Sequence, residues 1–108
     1  MSNPALREAL KRMLVLLEGE RAALTTLELE RILTCADGKM ELCEEIERSS
    51  QAGMDEECRG LLDGVGRLNE INRKLRNLIA ANVQARLSSL TGSAAVYGGG
   101  LRMREVPA

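Results

Sequence analysis

The chain has 108 residues, the length of one domain with a modest core. It contains no Phe, Trp or His and a single Tyr, and its formal net charge is −1. This composition disfavours β-sandwiches and barrels, which use aromatic and β-branched residues, and favours an all-helical fold. Because His is absent, the usual proton shuttle and the commonest zinc ligand are missing. We therefore expect no enzyme activity, no metal and no cofactor.

The first predicted helix begins at residue 4, where Asn3 is a suitable N-cap and Pro4 suits the first helical position. Leucine and methionine then recur at alternating spacings of three and four, which is typical of a coiled-coil seam. Glu20 interrupts this series. The seam consists of Leu6, Leu10, Met13, Leu17, Leu24 and Leu27.

The phase of the apolar pattern changes after Leu27, which one straight helix cannot accommodate. A break near Thr25 and Thr26 is one solution, with Thr25 capping a second helix and Glu28 as its capping-box partner. A turn over residues 35–38, where Asp-Gly occurs, is the alternative. The second helix would carry a new apolar stripe, with Ile32 and Ile46 beside it: Leu29, Leu33, Ala36, Met40 and Cys43.

A third helix follows a polar loop and ends at residue 91, before a Gly-rich tail. The sequence thus predicts an antiparallel, coiled-coil-like three-helix bundle over 1–91, with helices near 4–24, 26–50 and 55–91. Residues 92–108 are predicted to form a flexible tail.

Charge is unevenly placed, since residues 35–63 hold nine Asp or Glu against three Lys or Arg, and residues 64–108 hold two against seven. Complementary helices of one bundle explain this better than nucleic-acid binding, because no aromatic side chain accompanies the cations of the third helix. We interpret two acidic clusters as solvated helix faces: Glu18 with Glu20, and Glu44, Glu45 and Glu47. Three cysteines without a C-x-x-C pair predict neither a disulfide framework nor a zinc site.

The longest apolar run has five residues, Met13 to Leu17, which is shorter than a membrane span or a signal-peptide core. We therefore expect a soluble cytoplasmic protein.

Two features of the third helix and the tail are candidates for a functional role. Asn72 and Asn82 fall on or near the apolar stripe, where an Asn fixes register or partner at a cost in stability, although exposed polar positions are the simpler alternative. Tyr97, the only aromatic residue, precedes three glycines. It is either an idle tail residue or an anchor for a partner's pocket.

Together these motifs resemble the flagellar export chaperones of the FlgN type. The third helix carries the Leu-x-x-Leu-Asn-x-x-Asn-x-x-Leu pattern, with Val65 in place of the first Leu, and a Tyr-Gly-x-Gly element follows at Tyr97. The N-terminal half also fits, through Lys39 and Leu42 after the second apolar stripe. The resemblance covers about residues 15–100, and the chain is short for this family.

The resemblance implies a cytoplasmic type III export chaperone that binds hook-associated proteins and delivers them to the membrane export gate. It also implies that Tyr97 contacts the gate. We expect the cargo to bind an apolar groove on the third helix, although its first three members could instead pack on the first helix. A coiled-coil adaptor or oligomerisation module, including a homo-oligomer, is the alternative function. The expected cargo residues are Leu75, Leu78, Ile79, Asn82, Leu87 and Leu90.

Overall fold

Residues 2–91 are described by a computed structural model, and within them the chain forms three helices and no strand. The helices are α1 (Pro4–Thr26), α2 (Leu29–Ser50) and α3 (Glu56–Thr91). The predicted all-α three-helix fold is therefore confirmed, while the predicted tail 92–108 lies outside the described residues. The described chain divides into two compact units, one ending at Arg76 and one beginning at Asn77.

In the first unit, α1 packs against both α2 and the first part of α3. One buried cluster joins Leu6 and Leu10 to Cys58 of α3, and a second joins Met13 and Leu17 to Leu42 of α2. Burial of each leucine contributes roughly 1.5–3 kcal/mol, so these clusters stabilise the docking of the helices. The predicted seam of α1 is thus buried, except for Leu27, which is exposed.

Asn3 connects the start of α1 to the end of α2 and the following loop. Its Oδ1 accepts a hydrogen bond from the Leu6 N–H at 3.2 Å, which makes it the predicted N-cap. Its Nδ2 donates to the carbonyl oxygens of Ser49 at 2.9 Å and Gly53 at 2.7 Å. Because Asn3 lies beside Ser49, whereas Glu20 lies beside Lys39, α1 and α2 run antiparallel.

Asp55 caps α3 at the same end of the unit. Its Oδ1 accepts from the Cys58 N–H at 2.8 Å, and its Oδ2 accepts from the Asn3 N–H at 3.3 Å. The hydrogen bonds from Cys58 hold the pKa of the Asp55 carboxyl below its ordinary value. Burial and the neighbouring Asp55 together raise the pKa of the Cys58 thiol, which keeps it protonated. All three cysteines of the chain are free.

The break between α1 and α2 lies at Leu27 and Glu28, and α2 continues through residues 35–38 without a turn. Leu27 adopts a left-handed conformation (φ 57°), and the Glu28 N–H closes α1 by donating to the Ala23 carbonyl at 3.0 Å. The predicted capping box is wrong. The Thr25 hydroxyl donates to the Arg21 carbonyl inside α1, and Glu28 itself is the N-cap of α2.

Helix α2 does not bury the apolar stripe that its spacing selects. Leu29, Leu33 and Met40 are between 59% and 68% exposed, whereas Leu42 of the neighbouring face is buried. Gly38 explains part of this orientation, because a Cβ there would lie 2.7 Å from Cδ1 of Leu16. The glycine therefore allows α2 to approach α1 closely along the face that carries Leu42.

Candidate functional site

A buried carboxylate with several donors occupies the first unit. Glu20 is 3% exposed, and its Oε1 accepts from Asn72 Nδ2 at 2.8 Å. Lys39 Nζ lies 3.0 Å from the same oxygen, and Arg76 donates to Oε2 at 3.0 Å. Lys39 also donates to Asn69 Oδ1 at 3.1 Å, so α1, α2 and α3 are joined by this polar cluster.

The donors keep Glu20 ionised. Burial alone would raise its pKa, but the hydrogen bonds from Lys39 and Asn72 and the charges of Lys39 and Arg76 together lower the pKa below its ordinary value. A carboxylate with a lowered pKa that is saturated with donors is a weak general base at neutral pH. Because its contacts join all three helices, the cluster fixes how they align. Glu20 is buried, so its interpretation as part of a solvated face is wrong.

Asn72 occupies the core-facing position that its spacing predicts. It is fully buried, and its Nδ2 donates both to Glu20 and to the Leu17 carbonyl at 3.0 Å. Its Oδ1 has no hydrogen-bond partner within residues 2–91. A buried Asn that donates hydrogen bonds to one specific carboxylate and one specific carbonyl sets the register of α3 against α1. Asn82, by contrast, is exposed and has no such role within the described residues.

The expected cargo residues do not form one continuous strip. Leu75 belongs to the first unit and is half-buried there. In the second unit, Leu78 and Leu87 are 59% and 58% exposed. Because each helical residue turns the face by about 100°, two residues nine positions apart lie on opposite sides of the helix. Leu78 and Leu87 therefore cannot contact the same partner helix along one face.

A narrower apolar face remains within the second unit. Ile79 is half-buried, and Val83, Leu87 and Leu90 are 48%, 58% and 83% exposed. Their spacings of four, four and three place them on one side of the helix. Val83 is absent from the residues predicted to bind cargo, although its spacing from Leu87 and Leu90 identifies it. Arg86 is the only charged residue between positions 77 and 91.

Tyr97, the residue expected to contact the export gate, lies outside the described residues, as do the three glycines that follow it. Within residues 2–91, no group of three or more His, Cys, Asp or Glu is placed to hold a metal ion. None of the three described helices combines the length and the apolar character needed to cross a membrane.

Comparisons with known proteins add no relative: no family model matches the chain, and neither a curated protein nor a solved structure does.

Proposed function

We propose that this chain is a cytoplasmic export chaperone of the flagellar type III system, which binds a hook-associated protein and delivers it to the export gate. Two independent features support the proposal. The first is the order of motifs from Lys39 through the Asn69–Asn72 pattern to Tyr97, which resembles the FlgN type. The second is the exposed apolar face of the second unit.

That apolar face is the observation that carries the proposal. Val83, Leu87 and Leu90 present aliphatic side chains to solvent on a helix segment with a single charge, Arg86. Exposed apolar surface of this kind marks a partner-binding site, and a helix presents it in the i, i+4, i+7 pattern that another amphipathic helix can cover. A terminal segment of the cargo that folds on binding would supply such a helix.

The delivery step is assigned to the chain beyond residue 91. A tyrosine is well suited to fill a pocket, because it offers a large apolar area with a polar tip and few rotatable bonds. Tyr97 therefore contacts the gate in this proposal while the helix face at Val83, Leu87 and Leu90 holds the cargo. The two functions use separate residues, so they can be separated by mutation.

The test is a titration of the full chain against a purified hook-associated protein. The double variant Leu87→Ser/Leu90→Ser should bind at least about 30-fold more weakly, because it removes two apolar anchors of hot-spot size. Val15→Ser is the matched control, since Val15 is also an exposed aliphatic residue (73%) on a helix. The control should bind as the wild type does, and both variants should keep their helical circular dichroism. Unchanged affinity of the double variant would remove the face from the cargo site.

A helical oligomerisation module is the second candidate, and the same face favours it. Spacings of three and four with aliphatic side chains also suit pairing with a second copy. Light scattering during gel filtration distinguishes the two functions. A stable oligomer that dissociates in the Leu87→Ser/Leu90→Ser variant, together with no binding of hook-associated protein, would favour the module.

A further inference from the structure

Helix α2 carries a second exposed apolar stripe, which the cargo proposal does not use. Its members alternate spacings of four and three over about 21 Å of helix, the pattern of a two-heptad coiled-coil seam. All five are exposed, and the three large ones, Leu29, Leu33 and Met40, are 68%, 59% and 66% exposed. We call this set the α2 stripe: Leu29, Leu33, Ala36, Met40 and Cys43.

One edge of the α2 stripe is a row of carboxylates. Glu30, Asp37 and Glu44 follow one another at intervals of seven residues and are all exposed. No Lys or Arg of residues 2–91 lies within ion-pair distance of any of the three. Some other exposed acids of the described chain have cation partners, for example Glu18 with Arg21, whereas Glu41 and Glu47 of α2 have none within residues 2–91. The row is therefore a strip of uncompensated negative charge beside an apolar seam.

Two of the three cations of α2 are already engaged in ion pairs. Helix α2 has three basic residues, Arg31, Lys39 and Arg48. Arg31 pairs with Glu28, and Lys39 pairs with the buried Glu20. A second copy of the chain that docked through the same stripe would bring another acidic row of three carboxylates and, from α2, one cation without an ion pair within residues 2–91, Arg48. Like charges placed beside each other at an interface disfavour that pairing.

We infer that the α2 stripe is a docking surface for an amphipathic helix of another protein, one with aliphatic residues along its seam and Lys or Arg along its edges. The aliphatic seam would cover Leu29, Leu33 and Met40, and the basic edge would neutralise Glu30, Asp37 and Glu44. Apolar contact supplies the affinity, while the charge pattern selects a basic partner over an acidic one and increases the association rate. The α2 stripe shares no residue with the face at Leu87 and Leu90, so the inference does not rest on the proposed function.

The probe for this surface is a synthetic 21-residue peptide with Leu at heptad positions a and d, Lys at e and g, and a fluorescent label. A second peptide replaces every Lys with Glu and keeps the leucines. Fluorescence anisotropy measures the binding of each peptide to the full chain at about 0.1 M salt, where the Debye length is about 10 Å. The basic peptide should bind at least about 10-fold more tightly than the acidic peptide, and its affinity should fall as salt rises. Equal binding of the two peptides, or no binding of the basic one, overturns the inference.

Variants locate the binding on α2. Leu33→Gln/Met40→Gln should weaken the basic peptide about 30-fold, since two exposed anchors are lost and no buried contact is disturbed. Val15→Gln is its control and should not change the affinity. Asp37→Lys/Glu44→Lys should reverse the preference between the two peptides, whereas Asp63→Lys on α3 should preserve it. An affinity that is insensitive to both double variants contradicts the assignment.

Two further outcomes separate this inference from its competitors. The Leu87→Ser/Leu90→Ser variant should bind the basic peptide as the wild type does, whether or not it binds hook-associated protein. If the wild-type chain is instead a dimer in light scattering and Leu33→Gln/Met40→Gln makes it a monomer, a second copy occupies the stripe. That result overturns the inference.

Discussion

Replacement of Glu20 by Gln tests whether the buried polar cluster holds the three helices in register. The amide keeps the shape of the carboxylate but removes its charge and turns one acceptor into a donor. Lys39 and Arg76 would then face each other, and their hydrogen bonds at 3.0 Å would lose the charge that strengthens them. Asn72 would compete with both for the single remaining acceptor.

The size of the effect follows from burial. Loss of one partner of a fully buried ion pair destabilises a protein by about 3–5 kcal/mol. The side chains of Lys39 and Arg76 keep 22% and 38% exposure, so water compensates part of that loss. We expect Glu20→Gln to lower the free energy of unfolding by about 2 kcal/mol, which corresponds to a fall of about 10 °C in Tm.

The effect should also depend on pH. The pKa of Glu20 is lower in the folded chain than in the unfolded one, so its contribution is fully present above the unfolded pKa of about 4.3. It is lost as the pH falls through the folded pKa, because the protonated acid no longer attracts Lys39 and Arg76. The difference in stability between the wild type and Glu20→Gln should therefore shrink as the pH falls from 7 to 3.

Urea unfolding followed by circular dichroism measures this difference at each pH. Glu18→Gln is the matched control, because Glu18 is exposed and its one ion pair within residues 2–91 is with Arg21, three residues away. That variant should change the free energy of unfolding by less than about 0.5 kcal/mol. If Glu20→Gln is as stable as Glu18→Gln at pH 7, or if its deficit is the same at pH 3, the cluster does not hold the helices as described.

Three further predictions concern single positions. Asn3→Ala should lower the free energy of unfolding by about 2–3 kcal/mol in urea titrations, because it removes the α1 cap, one hydrogen bond to α2 and one to the loop that follows α2. A loss below about 0.5 kcal/mol would contradict this. Gly60→Ala should raise Tm, because alanine gains about 1 kcal/mol in helix propensity over glycine. Gly38→Ala should raise Tm less or lower it, because its Cβ would meet Leu16 at 2.7 Å. A higher Tm for Gly38→Ala than for Gly60→Ala in thermal melts would refute the close approach of α1 and α2. If the chain has the proposed function, Tyr97→Ala should weaken binding of its complex with a hook-associated protein to the soluble part of the export gate by about 30-fold. The affinity for the hook-associated protein should stay unchanged in a separate titration, and a fall in that affinity would place Tyr97 in the cargo site.

The ends of α1 could be predicted from local chemistry, because they depend on neighbours along the chain. Asn3 and Pro4 specify the start through the N-cap hydrogen bond and the fixed φ of proline. The change of apolar phase indicates a break, which lies at Leu27 and Glu28, just beyond the position predicted near Thr25 and Thr26, and the alternative turn over residues 35–38 is wrong. The details of the break could not be predicted, since the αL conformation at Leu27 carries no glycine or asparagine signal.

The orientation of α2 could not be predicted from its own sequence. The helix carries two apolar faces about 100° apart, and the more regular one, from Leu29 to Cys43, is the exposed one. Contacts from other helices select the second face: Gly38 admits Leu16, and Lys39 reaches Glu20. Such a choice is made by tertiary packing and outweighs the periodicity of a single helix.

The sequence indicates the members Asn72 and Glu20 of the polar cluster but not their pairing. Asn72 lies on the apolar stripe of α3, which identifies it as a core-facing polar residue. Glu20 interrupts the seam of α1, and that interruption is the signal that a buried partner is needed. The pairing itself depends on residues 52 positions apart, which spacing within one helix does not reveal.

Hydrogen exchange of the full chain with and without a hook-associated protein tests the chaperone proposal most directly, because it reports where the cargo binds without any mutation. The proposal predicts that amides in residues 77–91 become protected on addition of cargo, while those around Leu6 and Leu10, already buried in the first unit, change little. Formation of a complex that leaves residues 77–91 unprotected, or no complex at all with any hook-associated protein, would contradict it.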